Sequence, residues 1–271
     1  MNGCERIILQ ESGGMTLRIG IAGITGRMGR LLAEEVAAAG HELAGGIARP
    51  GHAPAEGVHL FPDLAALARD CQVVVDFTHA DTAAAHGETL AKAGTAWVLG
   101  SSGLSPAQEQ AVTAASASIP VVYAANFSPG VNLVLALARR MGAALPAEAY
   151  DVEILEMHHR QKVDAPSGTA IGLGRAVAAG RGVDLDAVAE RGRDGHTGPR
   201  RTGAIGFAAL RGGQVVGDHS VIFAAASEQI VLTHRAFDRR VYATGAVRAA
   251  GWLSGRAPGL YGMNNVLGMD G

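Results

Sequence analysis

Between Leu17 and Tyr123 the chain alternates short, continuous apolar runs with longer stretches in which apolar residues recur every three or four positions. The runs LRIGIA, HELAGGIA, QVVVDF, TAWVLG and IPVVYA predict buried strands, and RMGRLLAEEVAAA, DLAALARDC, DTAAAHGETLAKA and SPAQEQAVTAASA predict helices. Gly40 and Gly94 stop the first and third of these helices. Ser105 opens the fourth as N-cap, with Pro106 at the first helical position. Alternation at this pace implies a parallel sheet wrapped by helices, a Rossmann-like α/β domain.

After Phe127 the pattern changes. A helix, VNLVLALARRMGAAL, leads to a strand, YDVEILEMH, then to the stretch EMHHRQKVDAPSGTA and the helix it opens. From Thr202 to Arg235 long β runs are broken by a Gly-Gly and a Ser-Glu turn, which predicts a second α+β domain with a mainly antiparallel sheet. The final helix, RRVYATGAVRAAGWLSG, has no evident partner there, and residues 191–203 read as a mobile loop. The expected division is an extension over 1–15, a dinucleotide-binding domain over 16–128 and a substrate-binding and oligomerisation domain over 129–237.

Composition narrows the function classes. Of 271 residues, 48% are hydrophobic and 18% charged, enough apolar material for a substantial core. The formal net charge of −2 gives no global basic field for nucleic acid or an anionic membrane. Cys4 and Cys71 are too few for a disulfide or metal framework, which fits a reducing cytoplasm, and no stretch reads as a membrane span or secretory signal.

The first candidate chemistry is GIAGITGRMGRLL, where the first strand turns into the first helix. Gly20, Gly23, Gly26 and Gly29 leave backbone N–H groups and a helix N-terminus open to an anion, as for the pyrophosphate of a dinucleotide. Thr25 stands where the middle glycine of G-x-G-x-x-G would be, and by itself such a turn is equally a device for close packing. The candidate cofactor residues here are Gly23, Ile24, Thr25, Gly26, Arg27 and Met28. Later strand ends add Phe77 and Thr78, then Gly100, Ser101 and Ser102, then Ala124, Ala125, Asn126 and Phe127. Ligands of such sheets sit beyond the carboxyl ends of the strands.

The second is EMHHRQKVDAPSGTA itself. A solvated basic loop is the plain alternative. Against it, Ser167 is placed to cap a helix whose first N–H groups, on Gly168 and Thr169, then face an anion, while Arg160, Lys162 and two histidines add cationic donors. A small dicarboxylate suits that set, and a histidine gives a proton donor near neutral pH.

These residues, with GRMG, VVVDFT, GSSG, AANFSPGVN, HHRQKVDAPSGTA, RDGHTG, GFAALRGG, GDHSVIFAAASEQIVLTHRA and GAVRAAGWL in that order, make the chain resemble the 4-hydroxy-tetrahydrodipicolinate (dihydrodipicolinate) reductase family of bacterial lysine biosynthesis. The likeness runs from about Leu17 to the C-terminus, and GSSG replaces a frequent G-T-T-G while keeping hydroxyls. The resemblance implies NAD(P)H-dependent reduction of a cyclic imine dicarboxylate, with loss of water, hydride arriving at ring C4 and a proton at C3. It implies His158 as proton donor, Lys162 as second catalytic donor, and His159, Gly168 and Thr169 as substrate-carboxylate ligands. It also implies that 238–271 packs back on the nucleotide domain and that the protein is a cytoplasmic homotetramer. Another nicotinamide-dependent dehydrogenase acting on a small dicarboxylate, or a non-catalytic nucleotide sensor, is the competing reading. Neither is expected to carry the whole His-His-Arg-x-Lys block. For the cofactor, the second strand ends in Ala48 and Arg49 without a carboxylate, and Glu42 lies at its start, which favours NADPH over NADH.

Overall fold

In a computed structural model of the chain, residues 16–49 and 51–269 are described. The extension read at 1–15 lies outside them. In chain order the elements are β1 (Arg18–Ala22), α1 (Arg27–Ala38), β2 (Glu42–Ile47), α2 (Leu64–Arg69), β3 (Val73–Asp76), α3 (Ala83–Ala93), β4 (Ala96–Leu99), α4 (Pro106–Ser116) and β5 (Pro120–Tyr123). There follow α5 (Pro129–Ala144), β6 (Asp151–His158), α6 (Gly168–Arg181), α7 (Leu185–Val188), β7 (Ala189–Arg191), β8 (Ile205–Arg211), β9 (Gly217–Ala224), β10 (Gln229–Ala236), α8 (Arg240–Leu253), β11 (Gly259–Tyr261) and α9 (Met263–Leu267). They form two compact units. The first takes the described residues up to Ala125 with Ala246–Tyr261; the second takes Asn126–Gly245 and the described residues from Gly262.

The first unit is a parallel sheet in the order β11-β5-β4-β3-β1-β2. Every residue of β3 and β4 is buried, as strands covered on both faces require. Leu67, Leu90, Trp97 and Val121 fill the core, each large aliphatic group contributing about 1.5–3 kcal/mol by leaving water. Ser105 caps α4 as predicted, its Oγ accepting from Gln108 N, and the Gln108 side chain completes a capping box by accepting from Ser105 N. β2 and β3 lie on opposite sides of β1, so the strand order reverses there and a crevice opens at the carboxyl ends of β1 and β3. β11 was not anticipated, because three residues carry no readable period.

The second unit is the expected α+β domain, antiparallel along β10, β9 and β6 and parallel at the other edge of its sheet. Its sheet is mixed, in the order β10-β9-β6-β8-β7. β9 pairs antiparallel with both β10 and β6, whereas β6–β8 and β8–β7 are parallel. β8 and β9 are joined through Gly212 and Gly213 yet are not neighbours, because β6 lies between them. The alternation of β6 explains its central place. Val152, Ile154, Glu156 and His158 all face inward, and Ile154 and Val152 pack with Leu173, Val177, Phe207 and Phe223 beneath α5 and α6. The stretch read as a mobile loop is tied down: Arg193 holds both carboxylate oxygens of Glu153, at 3.1 and 2.9 Å, and Arg200 Nε reaches Glu153 Oε1 at 3.0 Å.

Candidate active site

In the first unit the glycine turn is held by the neighbouring strand. Gly23 N and Ile24 N both donate to Ile47 O, at 3.0 and 3.1 Å, and Gly26 N donates to Gly23 O at 2.9 Å. Gly23 has φ of 83°, the left-handed region that disfavours other residues. Gly29 has no room for a side chain, since a Cβ there would lie 2.2 Å from Gly23 O and 2.6 Å from Ile24 Cα. The helix α1 therefore starts hard against the turn. Its N-cap, Gly26, is extended and contributes no side-chain cap, so the first N–H groups of α1, from Arg27 and Met28, remain for an anion.

The other candidate positions of this unit lie at the same edge of the sheet. Arg49 is exposed two residues beyond Ile47, the residue gripped by the glycine turn. Glu42, at the far end of β2, is paired with Arg18. Phe77 and Thr78 follow β3, with Thr78 fixed by its hydroxyl to Asp76 Oδ1 at 2.6 Å; buried Asp76 also takes His86 Nδ1 at 2.7 Å. Gly100 packs over the Phe77 ring, where a Cβ would come within 2.3 Å of it. Ser101 Oγ is buried and finds no partner among the described residues, while Ser102 is exposed. Ala124 and Ala125 close β5. An uncapped helix N-terminus behind a glycine cradle, with a buried hydroxyl that finds no partner among the described residues at the end of β4, fits a dinucleotide.

Asn126 and Phe127 fall in the second unit instead. There Asn126 Nδ2 donates to Thr169 Oγ1 at 3.3 Å, tying the start of α5 to the start of α6. Ser167 caps α6 as expected, its Oγ accepting from Ala170 N at 3.2 Å. The N–H groups of Gly168 and Thr169 belong to the first turn and have no intrahelical acceptor. A Cβ on Gly168 would meet nothing within 4 Å, so the space before this helix end is open.

His158 ends β6, 8% exposed. Its Nδ1 lies 2.5 Å from Glu156 Oε2, and Glu156, 1% exposed, is gripped by both Nη atoms of Arg211 at 2.9 Å. Burial by itself would raise the Glu156 carboxyl, but Arg211 and His158 outweigh it and hold it below the usual range. An ionised carboxylate only accepts, so Nδ1 of His158 carries the proton and Nε2 is left as the exchanging position. A Cβ on Gly217 would lie 3.1 Å from that Nε2; the glycine keeps its surroundings clear. Burial lowers the His158 pKa below its ordinary value, against the opposing pull of Glu156. Lys162 Nζ pairs with Asp164 Oδ1 at 2.8 Å, and its charge adds to the lowering at His158. His159 N is fixed to Val215 O at 2.7 Å, and its Nδ1 is buried with no partner among the described residues.

Sequence reading missed Glu156, Arg211 and His219. The signal was present as a phase: Glu156 shares the inward period of Val152 and Ile154, and His219 that of Val221 and Phe223. The two sit opposite each other across β6 and β9. The His219 ring meets that of His158 edge-on at 5.0 Å, and its Nε2 lies 3.1 Å from Ser167 Oγ. Ser167 Oγ also accepts from Ala170 N, and its second lone pair and its proton leave either atom of the Ser167–His219 contact able to donate.

That environment has a measurable consequence. Burial first, then the charge of His158, push the His219 pKa down from 6.5 to about 4. The unfolded chain binds this proton near pH 6.5 while the folded chain refuses it until about pH 4. The contribution to stability is thus whole above pH 6.5 and is lost as pH falls through that window, by about 3 kcal/mol in total. Urea midpoints at pH 7.5 and 4.5 should fall further for the wild type than for His219→Asn, which keeps a hydrogen-bonding side chain but does not titrate. Parallel falls would remove His219 from the acid response.

Comparison with known proteins bears on both units. Residues 17–127 match the family described as dihydrodipicolinate reductase, N-terminus, and residues 130–267 match its C-terminus. The chain belongs to the dihydrodipicolinate reductase family. As a member it is an oxidoreductase of the lysine and diaminopimelate pathway, and its Rossmann-like unit takes a nicotinamide cofactor. It is 65% identical over 256 residues to the 4-hydroxy-tetrahydrodipicolinate reductase of Acidiphilium cryptum, covering 94% of this chain and 99% of that protein. With the reductase of the same name from Granulibacter bethesdensis it shares 64% over 256 residues, 94% of this chain and 98% of that one. The fold matches the dipicolinate-bound dihydrodipicolinate reductase of Paenisporosarcina sp. TG-14 with a TM-score of 0.74 at 24% identity, covering 93% and 99% of the two chains.

Proposed function

We propose that the chain reduces 4-hydroxy-tetrahydrodipicolinate to tetrahydrodipicolinate, preferring NADPH, with His158 and Lys162 as catalytic groups. The observation that carries the reading is the end of β6: a buried histidine with a fixed tautomer, close enough to a lysine to feel its charge, in the same unit as a helix N-terminus facing open space. Loss of the 4-hydroxyl together with a proton of C3, as water, leaves a C3–C4 double bond conjugated with the ring imine, and reduced nicotinamide, when bound, would supply the hydride for ring C4. His158 then delivers a proton from Nε2 to ring C3, so that substrate, reduced cofactor and one proton become product, oxidised cofactor and water. His159, Lys162 and the N–H groups of Gly168 and Thr169 bind carboxylate, and the positive end of α6 favours that charge. The test supplies pyruvate, aspartate semialdehyde and the upstream synthase and follows nicotinamide absorbance. Oxidation of NADPH only in the full mixture supports this substrate; turnover with other dicarboxylates and none in the mixture supports the competing dehydrogenase.

The preference for NADPH rests on Arg49. A guanidinium at the end of β2 suits a 2′-phosphate, and Glu42, the acid of that strand, is engaged with Arg18 at the opposite end. Arg49→Ala is expected to lower kcat/KM for NADPH about tenfold and leave that for NADH nearly unchanged, one charge-assisted contact being worth about 1.5–3 kcal/mol. Equal use of both cofactors by the wild type would end this proposal.

A cytoplasmic homotetramer completes the reading. The outward face of the second sheet carries Leu155, Leu210 and Val231, 37–48% exposed, an apolar surface suited to sheet-to-sheet association. Cys71, an unpaired thiol, suits a reducing compartment.

A further inference from the structure

Glu156 is nearly inaccessible to solvent, yet every contact it makes is to a group that surrounds the proposed proton donor. Oε2 takes His158 Nδ1 at 2.5 Å and Arg211 Nη1 at 2.9 Å; Oε1 takes Arg211 Nη2 at 2.9 Å and Ser167 N at 3.1 Å. Arg211 is itself oriented by the carbonyls of Leu210 and Asp164, both at 2.6 Å. A carboxylate held on four hydrogen bonds has no freedom to rotate away from the imidazole. We propose that Glu156 is a positioning residue that fixes His158 with its proton on Nδ1 and sets its affinity for the second proton on Nε2, and that Arg211 weakens this effect by sharing the carboxylate. The proposal rests on the reading of His158 as proton donor only for its consequence in turnover.

The charges around His158 give the sign. Glu156 on β6 favours the imidazolium. Arg211 at the end of β8, and Lys162 with its partner Asp164 in the loop after β6, lie on the other sides; Arg211 and Lys162 both disfavour it. His219 on β9 faces the ring but stays neutral until about pH 4 and adds no charge in the working range. Burial disfavours the imidazolium throughout. Glu156 is thus the carboxylate in contact with the ring that keeps the protonated form within reach of neutral pH.

A pin that merely anchors the loop to β8 makes a different prediction from a group that tunes the imidazole. In Glu156→Gln the His158 midpoint should move acid by about one pH unit or more, and in Arg211→Gln it should move alkaline, because charges of opposite sign are removed. Both keep side-chain hydrogen-bonding groups. The double variant, with both charges gone, avoids leaving one buried charge alone and should return towards the wild type. Two readouts are needed: the His158 titration by NMR in the substrate-free full chain, and the alkaline limb of kcat/KM against pH. Opposite shifts of the two single variants in the NMR titration support the proposal. Shifts in the same direction, or none with only a lower melting temperature, overturn it. If the NMR midpoints move as stated while the kinetic limb stays, the coupling stands and His158 loses its place as the proton donor. At pH 8, Glu156→Gln is expected to lose about tenfold in kcat with little change in KM for NADPH, one pH unit being one decade.

Discussion

His158→Gln is expected to lower kcat about 100- to 10 000-fold, the range for a positioned acid or base, while KM for substrate and cofactor changes little. Glutamine keeps the length and a hydrogen bond to Glu156 but has no proton to give near neutral pH. His158 is buried, its Nδ1 is committed to Glu156, and Gly217 keeps the surroundings of Nε2 clear. That geometry leaves Nε2 as the one ring position free to exchange a proton. Steady-state kinetics of the variant at saturating NADPH decide it. A kcat within a few-fold of the wild type would remove His158 from the chemistry, whatever the substrate.

Lys162→Ala is expected to lower kcat/KM about 100- to 1000-fold, through both a higher KM and a lower kcat, as for the loss of a preorganised electrostatic donor. Lys162 is largely covered, and in the free protein its ammonium rests on Asp164, whose carboxyl it holds below the usual range. That contact parks the charge beside the site. Lys162→Arg should recover little, since a planar fork does not reproduce a compact ammonium on a flexible stem. Full recovery by arginine would show that positive charge alone is required there.

The first unit was legible, β11 apart, because β1 to β5 are short apolar runs and α1 to α4 each carry their own stop or cap. Those signals are local. Residues 105–117 are the clearest case, where a serine, a proline and a glutamine three places on specify the helix start that is observed. The second sheet was not legible in the same way, because pairing partners are not local. Nothing in GFAALRGGQVVGDHSVIF says that β6, some fifty residues earlier, separates the two strands on either side of Gly212 and Gly213. The candidate site shows the same limit. His158, Lys162 and the start of α6 share one stretch of sequence and were found together. Arg211 and His219 reach the site only through the register of β8 and β9 on β6. Glu156 and His219, though missed, each left a local trace as a polar residue in the apolar phase of a strand, where an unpaired carboxylate would cost too much to bury. A carboxylate in such a phase predicts a cationic partner even before that partner is known.

The most direct test of the central claim is to follow the transferred hydride. Wild-type protein is given NADPH deuterated at the transferring position of the nicotinamide ring, with pyruvate, aspartate semialdehyde and the upstream synthase, and the product is examined by mass spectrometry and NMR. The account predicts a tetrahydrodipicolinate carrying one deuterium, at ring C4, in amounts equal to the NADPH consumed. NADPH consumed without deuterium at C4 of that product, or no consumption in the complete mixture, would contradict it.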